Sequence, residues 1–428
     1  MPPVRLQLLA DDRPVTVGTG RDPVGLARAL ATAGHDVQLL VTTAPGPGAV
    51  VSPGPRREGA GTLERVEVAV EPLTGTTDDG LARLLEREHA LAGAALRAAD
   101  PHPPDVVHAL DWPVAHAAVT VATALHRPLV AGLALPARHE EGLPPGLREA
   151  AVTLQGWLVE RATRVIVSTA AMRGEVRRHS GVPRDHVDVV HAGLAVPELR
   201  VPAERVAAAH ERWAASPGAP LVVCRGRLRP DGGVVDLLCA LPRLRRRHPG
   251  LRVVLAGAGE DETALRGLVT RMRLGRQVVV ATTLTGAERQ ALVAAADVVV
   301  VPGDDDPVAV PVLEAAVAGT PLAVADAGGL RERVRHEVTG LRFPAGDVAA
   351  LAAAVTRLLR DEVLARRLVR AAETVAVRDH DWAGVAARTS RTHERAALEH
   401  RLLRAAPRGP HALQVVVGER AGSPGARG

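Results

Sequence analysis

Two hydrophobic rhythms alternate along the chain. Short apolar runs bounded by Gly, Pro or Asp predict strands buried on both faces. Longer stretches with apolar residues three to four positions apart predict helices packed on them. In the first half the strands fall over 6–9, 36–41, 66–70, 105–109, 129–133, 164–168 and 187–190, and the helices over 23–33, 78–99, 114–125, 147–162 and 170–179. Gly34 follows the first helix as a stop. The rhythm breaks over 195–202 and at Pro217-Gly218. It restarts with strands over 221–223, 251–256, 278–281, 297–301 and 322–325, most trailed by a helix, and with helices over 234–248, 347–360, 362–374 and 382–405. Pro242 inside the 234–248 segment predicts a kink or a short break there. Strict strand–helix alternation predicts an α/β fold of two doubly wound parallel sheets. The breaks divide the chain into domains over 1–198 and 199–375, a helical segment over 376–405 and a Gly-, Pro- and Arg-rich tail over 406–428, predicted to be disordered.

Composition narrows the functions available. With 428 residues and 46% hydrophobic content the chain can bury two cores. No apolar run approaches the length of a membrane span, and Met1 to Arg5 lead into a strand rather than a secretory signal, so a cytoplasmic location is expected. There is no Lys, Tyr or Asn, which excludes a P-loop lysine, a Schiff-base lysine and N-glycosylation. Cys224 and Cys239 both lie in apolar stretches and are expected to be buried thiols. The net charge is +5, but no basic tract interleaves with aromatic residues, so nucleic acid is not an expected partner. The run Arg245-Arg246-Arg247 reads as the solvated end of a helix, and a basic face touching an anionic membrane stays open.

Candidate chemistry concentrates after the strand over 297–301. Asp306 and Glu314 stand eight residues apart, the first on the loop leaving the strand and the second within the next helix. Gly319-Thr320-Pro321 and Gly328-Gly329-Leu330 follow. Ligands bind at the carboxyl ends of the strands in open α/β sheets. Two carboxylates there accept from the hydroxyls of a polyhydroxylated ligand, and a helix N-terminus there favours a diphosphate. Gly18-Thr19-Gly20-Arg21 after the first strand places backbone N–H groups where a phosphate can approach. Gly226-Arg227-Leu228 after the first strand of the second half offers a guanidinium suited to bidentate phosphate contacts. Asp304-Asp305-Asp306 also has the makings of a hard-cation site.

This set of motifs resembles the family 4 glycosyltransferases of the GT-B fold, most closely the actinobacterial glycogen-synthase-like glucosyltransferases, over roughly residues 4 to 400. The resemblance implies two Rossmann-like domains facing a cleft, with the helix beginning at Asp381-Trp382 crossing back onto the first domain. It implies retaining transfer of a hexose, glucose foremost, from a UDP-, ADP- or GDP-hexose to a glycan or small polyol, without a metal cofactor. Glu314 then holds the ribose hydroxyls and Asp306 the donor sugar. Arg227 with the N–H groups of Gly18 and Gly20 takes the diphosphate, and Val308 and Ala309 stand where the family has Phe-Gly. His108, Asp111 and His139 fall on the acceptor and sugar side. The chain departs from the pattern at Leu110, where the family has His, at Gly232, where it has Lys, and at His191-Ala192, where it has Pro-Asn. Those departures keep two other readings open: a relative that binds nucleotide sugar, glycan or a partner with little turnover, and a nucleotide-sugar epimerase.

Overall fold

In the computed structural model, residues 3–11, 22–43, 50–51, 54–70, 77–100, 102–134, 136–139, 143, 145–193, 200–226, 228, 233–257, 262–303 and 310–405 are described. The first half holds β1 (Arg5–Asp11), α1 (Pro23–Thr32), β2 (Asp36–Thr43), β3 (Val50–Val51), β4 (Arg56–Glu58), β5 (Gly61–Ala69), α2 (Thr77–Ala99), β6 (Val106–Leu110), α3 (Ala115–Ala124), β7 (Leu129–Leu133), α4 (Pro145–Arg161), β8 (Arg164–Val167), α5 (Ala170–Ser180) and β9 (Val187–Val189). The second holds α6 (Ala203–Trp213), β10 (Leu221–Cys224), α7 (Val234–Arg247), β11 (Arg252–Leu255), α8 (Glu262–Arg271), β12 (Val278–Val280), α9 (Gly286–Ala295), β13 (Val298–Val301), α10 (Val310–Ala318), β14 (Leu322–Ala325), α11 (Gly328–Arg333), β15 (Leu341–Phe343) and α12 (Val348–Arg360). Two long helices follow, α13 (Glu362–His380) and α14 (Trp382–Ala405).

The strands form two sheets, ordered β3-β5-β2-β1-β6-β7-β8-β9 and β12-β11-β10-β13-β14-β15. Every pair is parallel except the short β3 and β4, which run antiparallel to β5. In each sheet the strand order reverses about a central pair, β1 and β6 in the first and β10 and β13 in the second. The central strands of the second sheet, Leu221–Cys224 and Val298–Val301, are buried at every position, which is why they read as unbroken apolar runs. α14 crosses to the first sheet, packing against α1 and β6 to β8.

Several expectations change. The chain stays helical through Pro242, so the predicted short break is absent; Pro242 lies on the exposed face of α7. Cys224 is buried, its thiol pushed up to about 12 by burial, whereas Cys239 is exposed. The apolar residues of α7 repeat at helical spacing from Val234 to Leu244, and Cys239 points off that stripe. Arg245, Arg246 and Arg247 are exposed at the end of the helix, as expected. α13 runs on to His380 rather than ending near 374, because Ala372, Ala376 and His380 continue its buried face. β3, β4, α6 and β15 are short or weakly patterned elements that the hydrophobic rhythm did not predict. The 198/199 boundary and the tail over 406–428 lie outside the described residues.

Candidate functional site

The second sheet's switch point lies between β10 and β13, whose carboxyl ends open one crevice. Gly226 leaves β10 with φ 114°, a conformation that favours glycine, and a Cβ on neighbouring Gly257 would lie 2.1 Å from the Gly226 carbonyl oxygen. Bare backbone is what lets β10 and β11 end side by side. Glu314 is buried on α10, facing this edge. Arg225, the residue after β10, donates from Nη2 to Glu314 Oε2 at 2.5 Å and from Nη1 to the Ala256 carbonyl at 2.6 Å. Arg289 on α9 donates from Nε to Glu314 Oε1 at 3.2 Å. Both carboxylate oxygens are thus charge-paired, and lone pairs remain for further donors.

Sequence reasoning missed both arginines. Arg225 left one signal, a cation ending a buried apolar strand at the ligand-binding edge. Arg289 left none; the Thr285–Glu288 capping box starts α9, and only the packing of α9 on α10 brings Arg289 to Glu314. Arg227, Asp306, Val308, Ala309, Gly18 and Gly20 lie outside the described residues, as do Asp304 and Asp305. Among the described residues no group of three or more His, Cys, Asp or Glu side chains is placed to hold a metal ion.

The first sheet's switch point lies between β1 and β6 and opens into a cavity of about 130 Å³. It is bounded by the carboxyl ends of β1, β6, β7, β8 and β9, by α1, and by Trp382, Val385 and Thr389 of α14. His108 and Asp111 both lie on this wall. Asp111 has φ 82° and ψ 174°, a combination that only glycine adopts freely, and its carboxylate accepts from the N–H groups of Trp112 at 2.7 Å and Ala134 at 3.3 Å. His108 is buried, and its Nδ1 shares a hydrogen bond of 3.0 Å with Nε2 of His393 on α14. Burial holds His108 far below the usual imidazole range, at about 3, and His393 well below it too, so both rings are neutral at pH 7. His139 ends a short helical turn, Ala137–His139, after β7, and its side chain is outside the described residues. His393 gave no motif signal; only the crossing of α14 brings it to His108.

The halves meet at a polar seam. Glu332 of α11 accepts from the N–H groups of Ala170 at 2.9 Å and Ala171 at 3.1 Å, at the N-terminus of α5. Arg333 donates to the Ser168 carbonyl at 3.3 Å. His380 Nδ1 is hydrogen-bonded to the Ala192 carbonyl at 2.7 Å, and its ring stacks on His191 with centroids 5.2 Å apart. Burial, reinforced by Arg333, lowers His380 to about 3.

Known proteins match over most of this length. A family model described as "Glycosyl transferase 4-like domain" matches residues 17–193, and one described as "Glycosyl transferases group 1" matches residues 207–375. The chain is 34% identical over 389 residues to glycogen synthase of Mycobacterium tuberculosis, covering 89% of this chain and 92% of that one. Among solved structures, sucrose-phosphate synthase from Thermosynechococcus elongatus superposes with a TM-score of 0.67 at 21% identity, covering 94% of this chain and 100% of that one. The catalytic domain of starch synthase IV from Arabidopsis thaliana, bound to ADP and acarbose, superposes with a TM-score of 0.67 at 16% identity, over 92% and 100% of the two chains.

Proposed function

The chain belongs to the family 4 glycosyltransferases of the GT-B fold, and on that premise we propose that it moves a hexose, with retention of configuration, from a nucleoside diphosphate sugar to a hydroxyl group of an acceptor. The acceptor oxygen forms the new glycosidic bond as the anomeric bond to the diphosphate breaks, and the hydroxyl proton leaves with the nucleoside diphosphate. The observation that carries this reading is Glu314, a buried carboxylate held at the second switch point with lone pairs left for ribose hydroxyls. Asp306 contacts the donor sugar in this reading. Arg227 and the N–H groups of Gly18 and Gly20 meet the charge that develops on the departing diphosphate, the interaction expected to lower the barrier most. Val308 and Ala309 complete the donor loop. His108, Asp111 and His139 serve the acceptor side. Guanidinium and backbone N–H groups neutralise the diphosphate in place of a metal ion. The glycogen synthase relative and the ADP bound to starch synthase IV support a nucleoside diphosphate donor.

The test is nucleoside diphosphate release from UDP-, ADP- and GDP-glucose with a panel of acceptors. Arg227→Ala should slow release about 100-fold, the usual effect of removing one donor to developing charge. A full-length, folded protein that releases no diphosphate from any donor sinks the proposal. A second reading, donor binding without turnover, is favoured by one observation: Arg225 and Arg289 already occupy Glu314. It predicts thermal stabilisation by UDP, ADP or GDP with no release.

A further inference from the structure

We infer that the first-sheet cavity takes the apolar part of the acceptor, an aromatic ring or short hydrocarbon chain bearing a hydroxyl group, rather than a glucan, a free polyol or a phosphorylated sugar. The inference rests on the transferase reading and names its acceptor class. The described walls are mostly apolar, through Leu26, Leu110, Ile166, Val190, Trp382 and Val385, with Ser168, His191 and Thr389 among the polar residues on them. The volume, about 130 Å³, suits one ring, since a comparable apolar cavity of about 150 Å³ binds benzene. No arginine lies among the described lining residues of a chain otherwise rich in arginine, so nothing described there recognises a phosphate. The carboxylates on the wall are engaged. Asp11 pairs with Arg87 at 2.8 Å, Asp22 accepts from the Gly25 N–H at 2.7 Å, and Asp111 holds the backbone of Trp112 and Ala134.

His108 supplies the polar contact. Its Nε2 is buried in the wall and has no hydrogen-bond partner. A Cβ at position 132 would stand 2.9 Å from this nitrogen, so any side chain there would crowd it. One of the two rings donates across the 3.0 Å bond, and the role left to His108 Nε2 is set by that tautomer. A hydroxyl group both donates and accepts, so the acceptor's hydroxyl can meet Nε2 in either form while the ring or chain displaces water from the walls.

Saturation-transfer NMR on the full chain tests this, with benzyl alcohol, maltose, myo-inositol and glucose 6-phosphate each presented alone. Benzyl alcohol should receive saturation and the other three should not. Ala134→Leu, which fills the mouth of the cavity, and Leu110→Asp, which makes its wall polar, should each weaken benzyl alcohol binding at least about tenfold, the loss expected when an apolar contact of about 1.4 kcal/mol is removed. Absence of benzyl alcohol binding, equal binding of maltose, or retention of binding in whichever of the two variants folds overturns the inference. In the release assay, transfer to maltose but not to benzyl alcohol overturns the inference and leaves the transferase reading standing. If no donor gives release with any acceptor, the transferase reading is overturned, and the NMR result then decides the cavity alone.

Discussion

At the carboxyl edge of the second sheet a buried carboxylate, Glu314, is met by two guanidinium groups, whereas at the matching edge of the first sheet the buried Nε2 of His108 has no partner. The topology is the same in both places, a switch point between neighbouring parallel strands. What differs is how the polar group survives burial. Glu314 is charged, and a buried charge must be paired. His108 is neutral because burial has removed its proton, so it tolerates an open nitrogen facing a cavity. One edge therefore has its charge paired from within, with lone pairs left over, and the other is left with an unmet buried nitrogen.

The comparison is most directly broken at Glu314. Glu314→Ala leaves Arg225 buried and unpaired and should cost about 3–5 kcal/mol of stability, read from the urea unfolding midpoint. Replacing both by apolar residues of similar size, Arg225→Met with Glu314→Leu, should recover most of that loss. A loss below about 1 kcal/mol in Glu314→Ala would mean that the pairing contributes little.

The first edge is tested by acid. His108 and His393 have folded-state values below their unfolded value, so the unfolded chain binds more protons as pH falls. Their contribution is intact above about pH 6.5 and is lost as pH drops toward the folded value of about 3 for His108, at up to about 1.4 kcal/mol per pH unit for each ring. His393→Leu should flatten the acid side of the stability curve; an unchanged slope between pH 6.5 and 5 would show that the pair is not what titrates.

Smaller effects sharpen the contrast. A Cβ at Gly193 would stand 2.4 Å from the Trp382 ring, so Gly193→Ala should cost about 1–3 kcal/mol and displace a wall of the cavity, seen as a lower thermal midpoint and weaker benzyl alcohol binding. The smallest change is expected for Glu332→Ala at the exposed seam, about 0.3–1 kcal/mol and reduced by salt. A larger loss there would mean that the seam, and not either edge, governs stability.

The sequence by itself determined that there are two parallel sheets, because strands buried on both faces must be written as unbroken apolar runs such as Leu221–Cys224 and Val298–Val301. It also placed Glu314 in the helix after β13 and brought His108 and Asp111 to the end of β6, since spacing along one strand–helix unit is local information. The partners were decided by tertiary structure alone. Arg289 reaches Glu314 from another helix, and His393 reaches His108 across 285 residues of chain. Neither pairing has a local signature, because a hydrogen bond between distant segments depends on how helices pack over the sheets. The protonation of His108 follows for the same reason: burial sets it, and burial exists only once α14 has crossed back onto the first sheet.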